Sequence, residues 1–214
     1  MAITIDGTAH NNSAGATTLT ATLTTTQPND LICVYITTNT SAPVTSVTSA
    51  HVTFTRKLAN ATSGQIELWS GVASAALTSE VITVNQTTSN FITVDAFGLN
   101  GVDTTTIWYG AGVTSNATPS DPLTISTTNA SDIIIAGFRM ATVASGAGAG
   151  AGFTILNSAD YQTIEYDIVS VTQSGLSIAL AAGNGAGDSN GSAAIAIKAA
   201  PTGPQPIGWA ESEF

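Results

Sequence analysis

Short runs in which threonine or valine alternates with a larger apolar residue recur along the whole chain. TLTATL at 18–23, VTFTRKL at 52–58, QIELWS at 65–70, VITVN at 81–85 and FITVDAFGL at 91–99 come first. TIWYGAG at 106–112, PLTIST at 122–127, FTIL at 153–156, TIEYDIV at 163–169, LSIAL at 176–180 and AAIAIKA at 193–199 follow. A period of two is the mark of half-buried strands. The runs recur about every 8 to 14 residues with Asn, Gly, Pro and Ser between them, the spacing of an antiparallel sandwich or barrel. No segment has the apolar stripe and charged face of an amphipathic helix; GVASAAL at 71–77 could make one short turn at most.

Two runs do not alternate. LICVYI at 31–36 and DIIIAGF at 132–138 are continuously apolar, which predicts central strands covered on both faces. Each follows a threonine-rich approach and an aspartate, so that TTTQPNDLI at 24–32 echoes STTNASDII at 126–134. The echo continues as VTFT with GFTI, GQIELW with QTIEYD, VITV with LSIA, and ITVDAF with AAIAIK. Two tandem sandwiches, or one sandwich assembled from two similar halves, would both produce it. The single sandwich is the expectation, because the joint at 100–121 is itself strand-rich and no linker composition interrupts it. The resulting organisation is an N-terminal segment at 1–11, an all-β antiparallel sandwich at 12–199 and an extended C-terminal arm at 200–214.

Composition narrows the partners. The 214 residues include 35 threonines but only four lysines and arginines against 14 aspartates and glutamates, for a net charge of -10. Arg56, Lys57, Arg139 and Lys198 are too few to neutralise a run of phosphates, so neither nucleic acid nor an anionic membrane is an expected partner. Cys33 is the single cysteine and sits inside an apolar run, which predicts an inert buried thiol and excludes an internal disulfide. The N-terminal sequence MAITIDGTAHNN has no basic and apolar regions of a signal peptide, and no run of about 18 apolar residues occurs. A polar, charge-poor surface without an export signal suits a protein made in the cytoplasm and released inside an assembled particle.

The order of these motifs resembles a known family. A threonine-rich strand, the D-L-I of 30–32, an aromatic strand with a nearby tryptophan, the turn FGLNGVD at 97–103 and a second D-I-I at 132–134 look like the jelly-roll-like β-sandwich domains of bacteriophage virion proteins and bacterial surface or secreted proteins. The resemblance covers about residues 15–200. It implies a jelly-roll-like sandwich and, more loosely, a role on a particle surface. The glycine and tryptophan that the family usually carries before its third strand stand here as Ala50, His51 and Phe54, a departure that bears on packing.

Candidate chemistry is sparse. His10 and His51 are the only imidazoles, and neither has the spacing to a second histidine or carboxylate that zinc sites use. No G-x-S-x-G elbow occurs, and GAGAGAG at 146–152 lacks the G-K-[ST] of a phosphate loop. Glu67 and Glu165 occupy echoed positions and invite a test as paired glycosidase carboxylates, although alternation sends Glu67 to the face opposite Ile66 and Leu68, where a solvated residue belongs. Asp30, Asp132 and Asp188 sit in loops with asparagine within three residues and offer calcium its preferred oxygen ligands, yet no D-x-D-x-D-G loop occurs and Asp with Asn is ordinary turn chemistry. Trp108 and Tyr109 could stack on a sugar, or one of them could be core.

After IAIKAA the pattern stops, and PTGPQPIGWAESEF follows with three prolines. Such a segment is extended, and leaving Ile207, Trp209 and Phe214 in water forgoes roughly 2 kcal/mol of burial for each. These three residues are therefore expected to dock on a neighbouring subunit or partner protein. The expectation is a non-enzymatic virion structural protein, a capsid decoration or other head or tail surface component, acting as a homo-oligomer, a trimer, on the major capsid or another virion protein. No cofactor is expected, calcium being the one candidate. A carbohydrate-binding adhesin is the alternative.

Overall fold

The computed structural model describes residues 2–39, 42–60, 65–116, 122–141, 148–181 and 189–201. Among these residues are thirteen strands and no helix. The first half contains β1 (Thr4–Leu23), β2 (Asp30–Thr38), β3 (Val44–Thr48), β4 (Thr55–Asn60), β5 (Gln65–Ala73) and β6 (Glu80–Asn100). The second contains β7 (Trp108–Ser115), β8 (Leu123–Ile125), β9 (Ile133–Met140), β10 (Thr154–Ala159), β11 (Gln162–Ile168), β12 (Leu176–Ile178) and β13 (Ser189–Ile197). All pairings are antiparallel.

Each half of the chain builds one main sheet, and the second half adds a two-stranded sheet of β8 and β12. The first runs β1-β6-β2-β5-β4, with β3 attached to β6; the second, written from its matching edge, runs β7-β13-β9-β11-β10. The two orders correspond strand for strand. β7 and the small β8 together do what the long β1 does, and β12 with β13 does the same for β6. The β3 to β6 pairing returns as a single bridge between Gly148 and Ala181. The fold is a β-sandwich of two stacked, equivalent sheets, rather than of strands dealt alternately to both.

The echoed turn explains why these particular residues recur. Thr25 donates its N–H to Leu77 O at 2.9 Å and accepts the Leu77 N–H on its hydroxyl at 3.0 Å. Thr127 makes the same exchange with Gln173, at 3.0 Å in both directions. Each threonine thereby satisfies the backbone of a neighbouring loop as well as its own buried hydroxyl. The chain then turns through a left-handed residue, Asn29 at φ 63° or Ser131 at φ 72°, and enters the central strand at a buried aspartate. Asparagine tolerates that conformation better than most side chains because its short amide bonds locally.

Three apolar clusters result. Leu31, Cys33, Tyr35, Ile66, Leu68, Phe97 and Leu99 meet Ile133, Ile135, Ile164, Ala193, Ile195 and Ile197 between the sheets. The opposite faces are not left to water. The second half of β1, the first of β6 and β3 fold over the outer face of the first sheet, enclosing Ile32, Val34 and Ile36. β8 and β12 cover Ile134, Ala136 and Phe138 on the second. Every residue of β2 is buried, as its continuous apolar run predicts.

The two halves cannot be identical where they touch. Tyr35 stands five residues after Asp30, and Gly137 five after Asp132. A Cβ on Gly137 would lie 2.7 Å from two atoms of the Tyr35 ring. One ring fills the space that two equivalent side chains would contest.

Two expected boundaries move. β1 starts at Thr4, so most of the expected N-terminal segment is edge strand, and 81–99 is one continuous strand rather than two. Gln86 holds the irregular stretch of that long hairpin, donating to the carbonyls of Ala16 and Asn90.

Candidate functional site

Glu67 and Glu165 are both buried, which corrects the solvated position expected for Glu67. The reason is the outer layer. Glu67 accepts the Val44 N–H of β3 at 3.4 Å and the Trp69 indole N–H at 2.9 Å, with Arg56 at 3.7 Å. Glu165 accepts the Gly150 N–H at 2.7 Å. Each glutamate pins its covering segment to the sheet. Burial raises the Glu67 carboxyl above its ordinary range against the opposing pull of Trp69 and Arg56. The flanking Ile66, Leu68 and Ile164 all face the inter-sheet core, so the two carboxylates point outward from opposite sheets. Roughly 10 Å of packed core separates those sheets. A retaining pair needs about 5 Å and an inverting pair one shared sugar between its carboxylates. These two do not share a site.

The loop aspartates are likewise engaged. Asp132 accepts the N–H of Ala199 at 3.0 Å and of Asn129 at 3.1 Å, tying the end of β13 to the start of β9. Asp30 accepts from the Asn100 amide at 2.9 Å, and burial lifts its pKa to about 6, with Asp6 beside it adding to the shift. Among the described residues no group of three His, Cys, Asp or Glu side chains could hold a metal ion. Asp188 lies outside the described residues.

Trp108 and Tyr109 divide between layers. Trp108 packs on the inter-sheet cluster and Tyr109 on the outer cluster of the second sheet. Each carries a cation on its ring, Lys57 over Trp108 and Lys198 over Tyr109, both at 4.9 Å. Neither is an open sugar platform.

Both histidines meet carboxylates distant in sequence. His51 binds Glu80 through Nδ1 at 2.7 Å and through its backbone N–H at 2.8 Å. His10 on β1 lies between Asp95 of β6 at 2.8 Å and Asp160 of the β10–β11 turn at 3.0 Å, so that it bridges the two sheets. Asn157 and Asn12 add amide donors to the same carboxylates, both at 2.6 Å. The hydrogen bond to Asp95, working against partial burial, raises the His10 pKa to about 9. The imidazole is a cation at neutral pH and serves as a clasp rather than a general base.

At the pole where β2 and β9 begin, β13 ends. Lys198, Ala199 and Ala200 are pinned there by Asp103 N–H to Lys198 O at 2.9 Å, Lys198 N–H to Ile107 O at 2.8 Å and Ala200 N–H to Gly101 O at 2.8 Å. Two depressions flank this stretch, one of about 420 Å³ beside Asp103, Asn129 and Pro201, the other of about 360 Å³ beside Gln27, Asn100 and Thr104. Ile207, Trp209 and Phe214, the expected docking residues, lie outside the described residues.

Comparison with known proteins found no match for this chain. That holds for models of protein families, for curated proteins and for solved structures alike.

Sequence reasoning missed one further place. At the opposite pole, where β2 and β9 end, a cavity of about 360 Å³ opens between Asn39, Asn90, Phe91, Arg139 and Tyr161. Its residues come from separate strands and turns and form no linear motif.

Proposed function

We propose that this chain is a non-enzymatic structural protein of a bacteriophage virion, a capsid decoration protein or another surface component of head or tail. The observation that carries the reading is the pinned root at Lys198 to Ala200, a rigid take-off point at one pole for a proline-rich segment bearing Ile207, Trp209 and Phe214. An arm that starts from a fixed point reaches a neighbour at lower entropic cost than one that starts from a loose end. The polar, charge-poor composition and the resemblance to virion domains agree with this role.

Self-association follows from the sheet edges. β7 and β10 are the two edges of the second sheet, and neither WYGAGVTS nor TILNSA contains a charged residue to discourage pairing with another copy. A closed homo-oligomer, a trimer, covers such edges, and three weak arms on one assembly then act through effective concentration.

Deleting residues 203–214 tests the arm. The truncated chain should keep the melting behaviour of the full chain and lose its attachment to particles carrying the major capsid protein. Normal incorporation of the truncated chain would overturn the reading, as would a monomer by light scattering at micromolar concentration.

A further inference from the structure

The inner faces of the two sheets are apolar at the centre and become polar toward the pole where β2 and β9 end. Thr37 pairs with Thr93 across β2 and β6, and Arg139 with Gln162 across β9 and β11. Thr37, Thr93 and Gln162 are all 0% exposed. Their side-chain polar atoms, Thr37 Oγ1, Thr93 Oγ1, Gln162 Oε1 and Gln162 Nε2, are buried without a hydrogen-bond partner, and so is Arg139 Nε. Buried polar atoms without partners are uncommon, and a cluster of them calls for a polar occupant or a function. The cavity bounded by Asn39, Asn90, Phe91, Arg139 and Tyr161 adjoins this cluster along the chain: Asn39 and Phe91 stand two residues from Thr37 and Thr93, and Tyr161 precedes Gln162.

Arg139 is the unusual member. It stands seven residues after Asp132, where the first half has Thr37 seven after Asp30, so the duplicated fold does not require a cation there. Of the other basic side chains, Arg56 pairs with Glu67 while Lys57 and Lys198 lie over aromatic rings. Arg139 instead donates to two neutral amides, Asn190 Oδ1 at 2.6 Å and Asn39 Oδ1 at 3.3 Å. Among the described residues no carboxylate forms an ion pair with it. Asp160, next to Tyr161, is held by His10 and Asn12. A guanidinium has five N–H donors, and amide acceptors orient it without cancelling its charge. Phe91 and Tyr161 meet edge to face with ring centroids 4.6 Å apart at the same mouth.

We propose that this mouth between the sheets binds an acidic monosaccharide, with Arg139 taking the carboxylate, Phe91 and Tyr161 packing on the ring, and the side-chain amides of Asn39 and Asn90 meeting its hydroxyls. A cation set among neutral acceptors selects an anion, and a carboxylate matches its planar fork. An aromatic pair beside it selects a ligand with an apolar face. The volume is at the small end of ligand cavities, which fits one sugar ring rather than a chain. The site lies at the pole opposite the root of the arm, about eight residues along β9 or roughly 25 Å away. A subunit attached by its arm would turn this mouth outward. The inference itself rests on the pocket and is tested on the free chain, so it stands or falls separately from the attachment reading.

The full chain is titrated calorimetrically with glucuronate and N-acetylneuraminate, and with glucose and acetate as comparisons. Either sugar acid should bind with a Kd of about 1 mM or tighter. Glucose and acetate should each bind at least about tenfold more weakly, since one lacks the charge and the other the ring. Arg139→Gln keeps a polar side chain and should weaken the sugar acid about tenfold or more. Tyr161→Ala, in the half-buried β10–β11 turn, should weaken the sugar acid and leave acetate unchanged. Equal affinity for glucose and glucuronate, acetate binding as tight as the sugar acid, or an unaltered Kd in Arg139→Gln would overturn the proposal.

Discussion

Gly137→Ala should destabilise the protein through a single clash with Tyr35. The added Cβ would lie 2.7 Å from Cδ1 and Cε1 of that ring and 2.8 Å from Ile66 Cδ1, where ordinary contact begins near 3.4 Å. Ile66 presents the flexible end of a side chain and can yield. The ring cannot easily do so, because Tyr35 is 0% exposed and its hydroxyl lies 3.3 Å from both Ile135 O and Ala193 O on the facing sheet. Relieving the overlap needs a shift of roughly 1 Å in a close-packed core, and overpacking of that kind costs about 1–3 kcal/mol. Restricting the unfolded chain by replacing glycine returns about 0.4–1 kcal/mol. A net loss of about 1–2 kcal/mol remains.

Tyr35→Ala alone should cost about 3–5 kcal/mol as a large buried ring is lost. In that background the alanine at 137 enters space the ring has vacated, and its penalty should vanish or reverse. The double-mutant cycle then carries a coupling of about 1–3 kcal/mol. Urea unfolding followed by tryptophan fluorescence measures all four variants, with the slope checked for constancy so that midpoints report stability. A Gly137→Ala variant within about 0.5 kcal/mol of the parent, or an equal penalty in both backgrounds, would refute the one-ring, one-glycine packing at the centre of the sandwich.

Two more outcomes test the layers and the clasp. Ile134→Asp should abolish folding, because Ile134 is 0% exposed beneath β8 and β12 and an unpaired carboxylate there costs several kcal/mol of the roughly 5–15 available; cooperative unfolding of a soluble variant would reject the double coverage of β9. His10 is raised from its ordinary 6.5 to about 9 in the folded chain, so its contribution is complete below pH 6.5 and lost as pH climbs through about 9. The stability of the parent should therefore fall over that window relative to His10→Gln, and an imidazole NMR titration centred near 6.5 would contradict the bridge.

The sheets were legible because burial and alternation are local. LICVYI and DIIIAGF announce central strands since a strand covered on both faces needs no polar side, and β2 and β9 occupy those positions. The echo was legible because Thr25 and Thr127 serve the same backbone exchange in both halves. β3 escaped because VTSVT owes its place to pairing with β6 rather than to its own hydrophobicity. The first half of β1 escaped for a similar reason: TIDGTAHNNS is polar, and its partner strand supplies the order. Glu67 was misplaced because alternation says which face a side chain takes but not whether another layer covers that face. The His10 clasp joins residues 85 and 150 positions apart, and only the stacking of the sheets brings them together.

A duplicated fold locates its own exceptional residues. Positions that serve the architecture recur in both halves: the paired threonines, the buried aspartates, the glutamates that hold the outer layers. A residue without a counterpart is free of that duty and must be explained otherwise. Tyr35 against Gly137 is explained by the contact between the halves themselves, where two rings cannot fit. The stretch Lys198 to Ala200 differs from its equivalent at the end of β6 because the first half continues into the second there, whereas the second half has no further sheet to enter among the described residues. Arg139 against Thr37 has neither excuse. A half-buried cation at one pole, in a chain short of cations and rich in carboxylates, is retained at a desolvation cost that lowers its own pKa. The packing of the sandwich does not require it, since Thr37 serves at the matching position. The two poles thus diverge where symmetry stops constraining them, one at the pinned stretch Lys198 to Ala200 and the other at the cavity that Arg139 lines.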